Sequence, residues 1–108
     1  MTNITFTFQN KILTGIRAQG HSGYAEKGSD IICAAVSTLM QALLLGIMDV
    51  AKIPSVTARI DDEKILISVS WLAKYSSKIQ ILTHTIEKSL RQIASENSGY
   101  IKISEENI

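Results

Sequence analysis

The sequence predicts a single two-layer α+β domain, in which an antiparallel sheet of two hairpins plus a C-terminal strand packs on two helices in the order ββαββαβ. Three observations lead to this prediction. The chain has 108 residues, of which 45% are hydrophobic, so it can build one core but is short for two domains. Short segments of alternating apolar and polar residues occur in pairs, as hairpins require. Two longer segments carry apolar residues at helical spacing.

The first hairpin is predicted from residues 4–18. Apolar and polar residues alternate over residues 4–8, which is typical of a strand with one buried face. Residues 9–11 form a short polar turn, and residues 12–18 resume an extended pattern. Residues 19–29 lack apolar periodicity and contain three glycines, so we expect an irregular loop here.

The first helix is expected to begin behind Ser29 or Asp30, since either residue is a good N-cap. The next 18 residues, 31–48, carry no charge and approach the length of about 20 apolar residues that a membrane-spanning helix needs. Polar residues in the middle, acidic residues at both ends and the absence of basic flanks favour a buried core helix instead. This helix is apolar around most of its circumference, more than a small sheet can cover, and therefore predicts a homodimer.

The second half of the chain repeats the plan of two strands and a helix. Residues 56–60 and 65–71 are predicted strands joined by a charged turn. Apolar residues then recur at helical spacing over residues 79–94, behind serines 76–77 as candidate caps. Residues 100–103 form a last short strand, which completes the sheet.

Charge and cysteine content exclude several classes of protein. Eleven Lys and Arg against ten Asp and Glu give a formal net charge of +1, which does not supply the positive field that direct nucleic-acid binding uses. One cysteine cannot form an internal disulfide or a Cys-based zinc cluster, and no metal or cofactor is expected. The N-terminal residues lack the basic start and apolar block of a signal peptide, so we expect a cytoplasmic protein with no membrane partner.

The candidate chemistry lies where the glycine-rich loop meets the first helix. His21 lies in the loop, and Cys33, the only thiol, follows in the first helical turn. There, backbone N–H groups and the helix dipole favour an anion and can activate a thiol, and a nearby histidine would complete a nucleophile and acid–base pair. By spacing alone, Cys33 is more often a small core residue. His84, in the middle of the second helix, is given no catalytic role.

A continuous signature connects the loop to the first helix. It consists of Gly20, His21, Ser22, Gly23, Tyr24, Ala25, Gly28 and the run DIICAAVS at positions 30–37. This signature resembles that of the ribosomal-processing cysteine protease family, and the domain length, the opening hairpin and the order of elements agree with the family. Ser22 stands where many relatives have alanine, and Ile32 where many have valine; Ser22 adds a hydroxyl beside the histidine.

The resemblance implies one cysteine-protease domain over residues 1–108, with His21 and Cys33 as the catalytic pair. The family's substrate is large-subunit ribosomal protein twenty-seven, whose N-terminal extension is removed by a cut after phenylalanine. Asp30 would either orient the imidazole or cap the helix, and its place three residues before Cys33 slightly favours the cap.

Substrate contacts are expected from the loop and from the second turn of the helix, where Ser37 either lines the pocket or donates to a helix carbonyl. The expected substrate-binding residues are Gly20, Ser22, Gly23, Tyr24 and Ser37. Two other functions stay open. A non-catalytic ribosome-associated binding module is disfavoured by the weak positive charge, and a thiol redox protein would lack a resolving cysteine within the chain.

Overall fold

The computed structural model describes residues 1–26 and 30–108, and within them two helices pack on a five-stranded sheet. This arrangement and the order of its elements confirm the predicted α+β fold. The strands are β1 (Thr2–Gln9), β2 (Ile12–Gln19), β3 (Thr57–Asp61), β4 (Leu66–Ser70) and β5 (Ile101–Asn107), and the helices are α1 (Ile31–Leu45) and α2 (Gln80–Glu96).

The sheet has the strand order β3-β4-β2-β1-β5. Both hairpins are antiparallel and β2 is antiparallel to β4, whereas β5 lies parallel to β1 at the edge of the sheet. β5 runs to Asn107 rather than ending at residue 103. Its last residues are polar and largely exposed, so no apolar alternation marks them as a strand. Their backbone pairs with β1, and Glu105 accepts a hydrogen bond from Arg91 on α2 at 2.7 Å.

The predicted turns of both hairpins are present. In the first, Asn10 and Lys11 have φ values of 50° and 67°, as the two central residues of a type I′ turn require. In the second, the Asp61 carboxylate accepts the backbone N–H groups of Glu63 and Lys64, each at 3.1 Å. This bonding is a common use of aspartate in turns.

Helix α1 buries one side of its surface and exposes the other. The buried row packs into the core and continues through a π-helical turn at Gly46–Val50. By length and composition, the helical segment Ile31–Val50 could cross a membrane, but core helices of soluble proteins meet the same criteria. In its most apolar stretch of 18 residues, 28% of the residues are buried. The single chain therefore covers only part of the circumference of this helix, as expected of a helix with more apolar surface than one small sheet can cover. The buried row is Ile32, Val36, Met40, Leu43 and Ile47.

The prediction that serines 76–77 cap the second helix is wrong. Both lie in a 3₁₀ helix at Ala73–Ile79, and α2 begins at Gln80 without a side-chain cap. Ser76 instead forms hydrogen bonds to core residues. Its hydroxyl accepts the indole N–H of the buried Trp71 at 3.1 Å and donates to the carbonyl of Leu13 at 3.2 Å. A buried indole N–H needs such an acceptor.

Gly20 fixes the point where the loop leaves β2. Its N–H donates to the carbonyl of Ile65 at 2.9 Å, and its carbonyl accepts the hydroxyl of Thr2 at 3.0 Å. It has φ +94°, and a Cβ there would lie 2.8 Å from the carbonyl oxygen of Met1. Only glycine fits both constraints, so the start of the loop, and with it His21, is held beside the β3–β4 turn.

Candidate active site

His21 and Cys33 line one pocket, with a volume of about 520 Å³. The end of β2 and the start of the loop form one wall, the first two turns of α1 form a second, and the β3–β4 turn with the start of β4 forms a third. The pocket therefore lies where a thiol at a helix start, an imidazole and an open cleft meet. The lining residues are Thr2, Ala18, Gln19, Gly20, His21, Asp30, Cys33, Ala34, Val36, Ser37, Asp61, Asp62, Ile65, Leu66 and Ile67.

Cys33 is the third residue of α1 and is half-buried. Its backbone N–H donates to Oδ1 of Asp30 at 2.9 Å, and the N–H of Ala34 donates to the Asp30 backbone carbonyl at 3.0 Å. Asp30 is thus the N-cap of the helix, while Ser29, the alternative cap, and Gly28 lie outside the described residues. Cys33 occupies the turn in which the helix dipole favours a negative charge.

The Asp30 carboxylate is buried and ionised. Burial by itself would raise the pKa of this carboxyl group. Hydrogen bonds from the Ser22 hydroxyl and the Cys33 amide, the nearby His21 and the backbone of Ala25 outweigh that effect and hold the pKa below its usual value. The side chain therefore remains an anion at neutral pH, with one oxygen on the Cys33 amide and the other on the hydroxyl of Ser22.

The His21 ring lies between the loop backbone and Asp30. Its Nδ1 accepts the backbone N–H of Gly23 at 3.1 Å and lies 3.6 Å from Oδ2 of Asp30. Its Nε2 is buried and has no hydrogen-bond partner among residues 1–26 and 30–108. An imidazole with one nitrogen bonded to the backbone and the other facing no fixed partner is suited to exchange a proton at the second nitrogen.

The other residues expected to bind substrate divide into two groups. Gly20 and Ser37 line the pocket, and the Ser37 hydroxyl accepts a hydrogen bond from Gln41 at 3.4 Å. Ser22, Gly23 and Tyr24 are not among the lining residues. Ser22 is buried against Asp30, whereas the ring of Tyr24 packs edge-on against Tyr100 with centroids 5.4 Å apart.

Sequence reasoning did not find the pocket wall formed by the second hairpin. The sequence pattern at this hairpin predicts only a charged turn and its flank. In the structure, the same pocket as His21 is lined by Asp61, Asp62 and Ile65. The pairing of β2 with β4 places them there, and no local pattern marks that pairing. His84 is exposed on α2 and is not among the lining residues. Across the described ranges, no group of three or more His, Cys, Asp or Glu could hold a metal ion.

Solved structures of the same fold include two of the ribosomal processing protease Prp from S. aureus. One holds a covalently linked product peptide and is 21% identical, with a TM-score of 0.85 over 98% of this chain and 100% of that one. The other holds a substrate peptide and is 20% identical, with a TM-score of 0.81 over the same shares of the two chains. A protein from Streptococcus mutans is 26% identical, with a TM-score of 0.82 over 100% of this chain and 96% of its own.

Sequence comparison assigns the family. No curated protein sequence matches the chain significantly. The model of the family Peptidase_Prp, described as cysteine protease Prp, matches residues 1–102 of the 108, so the match includes both hairpins, both helices and every residue that lines the pocket. With a thiol at a helix start and an imidazole lining the same pocket, the chain belongs to the Peptidase_Prp family and is a cysteine protease.

Proposed function

We propose that this cysteine protease removes the N-terminal extension of large-subunit ribosomal protein twenty-seven by cutting after phenylalanine, with Cys33 as the nucleophile and His21 as the acid and base. The observation that carries the proposal is the common pocket of Cys33 and His21 at the start of α1. The S. aureus proteases of the same fold, which hold a product peptide and a substrate peptide, support a peptide as the occupant. The signature at positions 20–37 supports the ribosomal substrate.

The proposed reaction begins with attack of the Cys33 thiolate on the carbonyl carbon of the scissile bond. The oxygen of that carbonyl becomes an oxyanion, for which amides at a helix start are suitable donors. Asp30 already holds the Cys33 amide, so the amides of Ile31 and Ile32 are the donors left at the helix start. The protonated His21 ring gives its proton to the leaving amine, and a thioester with Cys33 remains.

The second half of the reaction regenerates the reactive ion pair from which the attack begins. The now neutral His21 ring accepts a proton from water, and the resulting hydroxide attacks the thioester carbonyl. The carbon–sulfur bond breaks, the Cys33 thiolate and protonated His21 re-form, and the cleaved extension leaves as a carboxylic acid that loses its proton to solvent. The pocket is open to solvent beside both residues, because His21 and Cys33 are each partly exposed, so water can reach the thioester.

The test uses the ribosomal protein in two forms, one with the extension and one that begins at the mature residue. Purified enzyme is expected to shorten only the extended form, and mass spectrometry should place the cut after phenylalanine. Binding of the extended form without a change in its mass would support the ribosome-associated binding module instead. A mixed disulfide on Cys33 that turns over with glutathione would support the redox protein.

Asp30 is expected to act both on the helix and on His21. Asp30→Asn keeps a side chain that can cap, so the free energy of unfolding should change little, but its neutral amide cannot support a protonated imidazole. We expect cleavage by this variant to fall about tenfold or more. Asp30→Ala should lose cleavage as well and be less stable by about 1 kcal/mol. Chemical denaturation and cleavage rates measure the two effects, and wild-type cleavage by Asp30→Asn would show that Asp30 only caps.

We also propose a homodimer in which a second copy covers the outer face of α1. This face forms a stripe at helical spacing with no charge between Ile31 and Met48, and it exposes large apolar side chains such as Leu45, which is 57% exposed. A stripe of this kind is typical of a helix–helix interface. The exposed stripe consists of Ile31, Ala34, Thr38, Gln41, Ala42, Leu45 and Met48.

The dimer predicts a solution mass of twice the 11.9 kDa of one chain, measurable by light scattering at micromolar concentration. Leu45→Glu should reduce the mass to that of one chain without unfolding it, because a charge in an apolar interface lacks a partner there. Ile60→Glu, at an equally exposed apolar residue on the edge strand β3, is the matched control and should remain dimeric. A single-chain mass for the wild-type protein would contradict the proposal.

The proposed substrate also places the enzyme in the cytoplasm, where ribosomal proteins are made and assembled. Cell fractionation with an antibody against the chain tests this location. Recovery with the membrane fraction would contradict it and would assign the apolar face of α1 to lipid instead of to a second copy.

A further inference from the structure

The hydroxyl of Ser22 shares the carboxylate of Asp30 with the His21 ring. Ser22 is 3% exposed. Its Oγ donates to Oδ2 of Asp30 and accepts the backbone N–H of Tyr24 at 3.1 Å. The same Oδ2 lies 3.6 Å from Nδ1 of His21. Ser22 and His21 therefore lie beside the same carboxylate oxygen, and in this structure Ser22 forms the hydrogen bond to it.

The hydrogen bond on Nδ1 determines where the His21 ring carries its proton. Nδ1 accepts the N–H of Gly23 at 3.1 Å, and a ring nitrogen that accepts a hydrogen bond carries no proton. The proton of the neutral ring is therefore on Nε2, which is buried and unpartnered among the described residues. In this tautomer, neither ring nitrogen has a lone pair available to accept a proton from a thiol.

Activation of Cys33 by His21 requires the other tautomer. The S–H bond of Cys33 breaks and an Nε2–H bond forms only when Nε2 has a lone pair, so the ring proton must first be on Nδ1. An N–H at Nδ1 can no longer accept from Gly23 and needs an acceptor of its own. Oδ2 of Asp30 is a candidate acceptor at 3.6 Å, and it is bonded to Ser22.

We propose that Ser22 is a positioning residue that competes with His21 for Oδ2 of Asp30 and so holds the ring in the tautomer that cannot accept the thiol proton. The consequences for cleavage and for the reactivity of the thiol depend on the proposed Cys33–His21 pair, but the tautomer of the ring does not. Four ionisable groups line the pocket together with the ring: Asp30 at the N-cap of α1, Cys33 on α1, Asp61 at the end of β3 and Asp62 in the β3–β4 turn. Ser22→Ala changes none of these charges and removes only the competing donor.

Removal of the competitor predicts a gain of reactivity, which a merely structural role for Ser22 would not produce. In Ser22→Ala, Nδ1–H can donate to Oδ2 of Asp30, and the lone pair on Nε2 becomes available to the thiol. We expect alkylation of Cys33 by iodoacetamide at pH 6 to become about three- to tenfold faster, the factor that loss of one competing hydrogen bond gives. Cys33 is the only cysteine of the chain, so the rate reports this thiol alone.

Three variants control the alkylation experiment. Ser22→Thr keeps the hydroxyl, so Cys33 in this variant should be alkylated at the wild-type rate. Ser89→Ala removes a hydroxyl that donates to the carbonyl of Thr85 within α2 and should not change the rate. In the double variant Ser22→Ala/Asp30→Asn, a neutral amide replaces the carboxylate that would accept the hydrogen bond from Nδ1–H, so most of the gain should disappear.

A second measurement locates the ring proton directly. The measurement uses nitrogen-15 NMR chemical shifts of the imidazole, in a His84→Gln background that leaves His21 as the only histidine. The shifts should show the ring proton on Nε2 when residue 22 is serine and on Nδ1 in Ser22→Ala. A wild-type ring protonated on Nδ1, or a Ser22→Ala rate equal to or below the wild-type rate, would overturn the proposal. Neither readout uses a peptide substrate, so a failure to cleave the ribosomal protein would not be mistaken for failure of this inference.

Discussion

Cleavage of the extended ribosomal protein is expected to fall at least about a thousandfold when Cys33 is replaced by alanine. In the proposed mechanism the Cys33 thiolate forms the covalent intermediate, and water is a far weaker nucleophile. The fold should survive the change. Cys33 is half-buried rather than part of the core, alanine is the best helix former, and the Asp30 cap binds the backbone N–H at this position rather than the thiol.

The measurement compares initial cleavage rates by mass spectrometry and unfolding by chemical denaturation. Cys33→Ser should be nearly as inactive as Cys33→Ala, because a hydroxyl at this place is much harder to ionise than a thiol. Thr85→Ala, which removes an exposed hydroxyl that bonds within α2, is the control and should cleave normally. If Cys33→Ala retains one-tenth of the wild-type rate, Cys33 is not the nucleophile.

The elements that could be predicted from sequence are those that local patterns specify. The alternation over residues 4–8 and the long apolar run from residue 31 each depend on side chains close in the chain, and both elements are present. The polar end of β5 was not predictable in this way, because its backbone pairing with β1 defines it. The role of Ser76 was missed for a similar reason, since its partners, Trp71 and Leu13, include a residue on a distant strand.

The candidate site likewise has a part that a local sequence pattern predicts and a part that depends on distant strand pairing. His21, Asp30 and Cys33 lie within thirteen positions of one another, so a short signature could identify them together. The facing wall of the pocket comes from the β3–β4 turn, which reaches the site only because β4 pairs with β2. The bond between Ser22 and Asp30 depends on how the loop folds back onto the helix start. A short sequence signature can therefore group the candidate catalytic residues, but it does not predict the contacts around them.

Replacement of His21 by alanine is expected to lower cleavage by about a hundredfold to ten-thousandfold, the usual contribution of a positioned acid and base. Without the imidazole, the leaving amine departs unprotonated and no group takes a proton from the attacking water. The loss should be smaller than in Cys33→Ala, because the nucleophile remains at the dipole-positive end of α1. The helix cap should be unaffected, since the Asp30 bond to the Cys33 amide does not involve His21.

The chain offers a matched control for this prediction in its only other histidine. His84 is exposed on α2 and is not among the residues that line the pocket, so His84→Ala should cleave at the wild-type rate. Alkylation of Cys33 by iodoacetamide separates two ways in which His21 could act. Slower alkylation at neutral pH in His21→Ala would mean that the ring assists ionisation of the thiol. Unchanged alkylation with lost cleavage would assign the ring to the proton transfers after attack. Cleavage by His21→Ala above one-tenth of the wild-type rate would exclude both roles, because neither ionisation of the thiol nor protonation of the leaving amine would then depend on the imidazole.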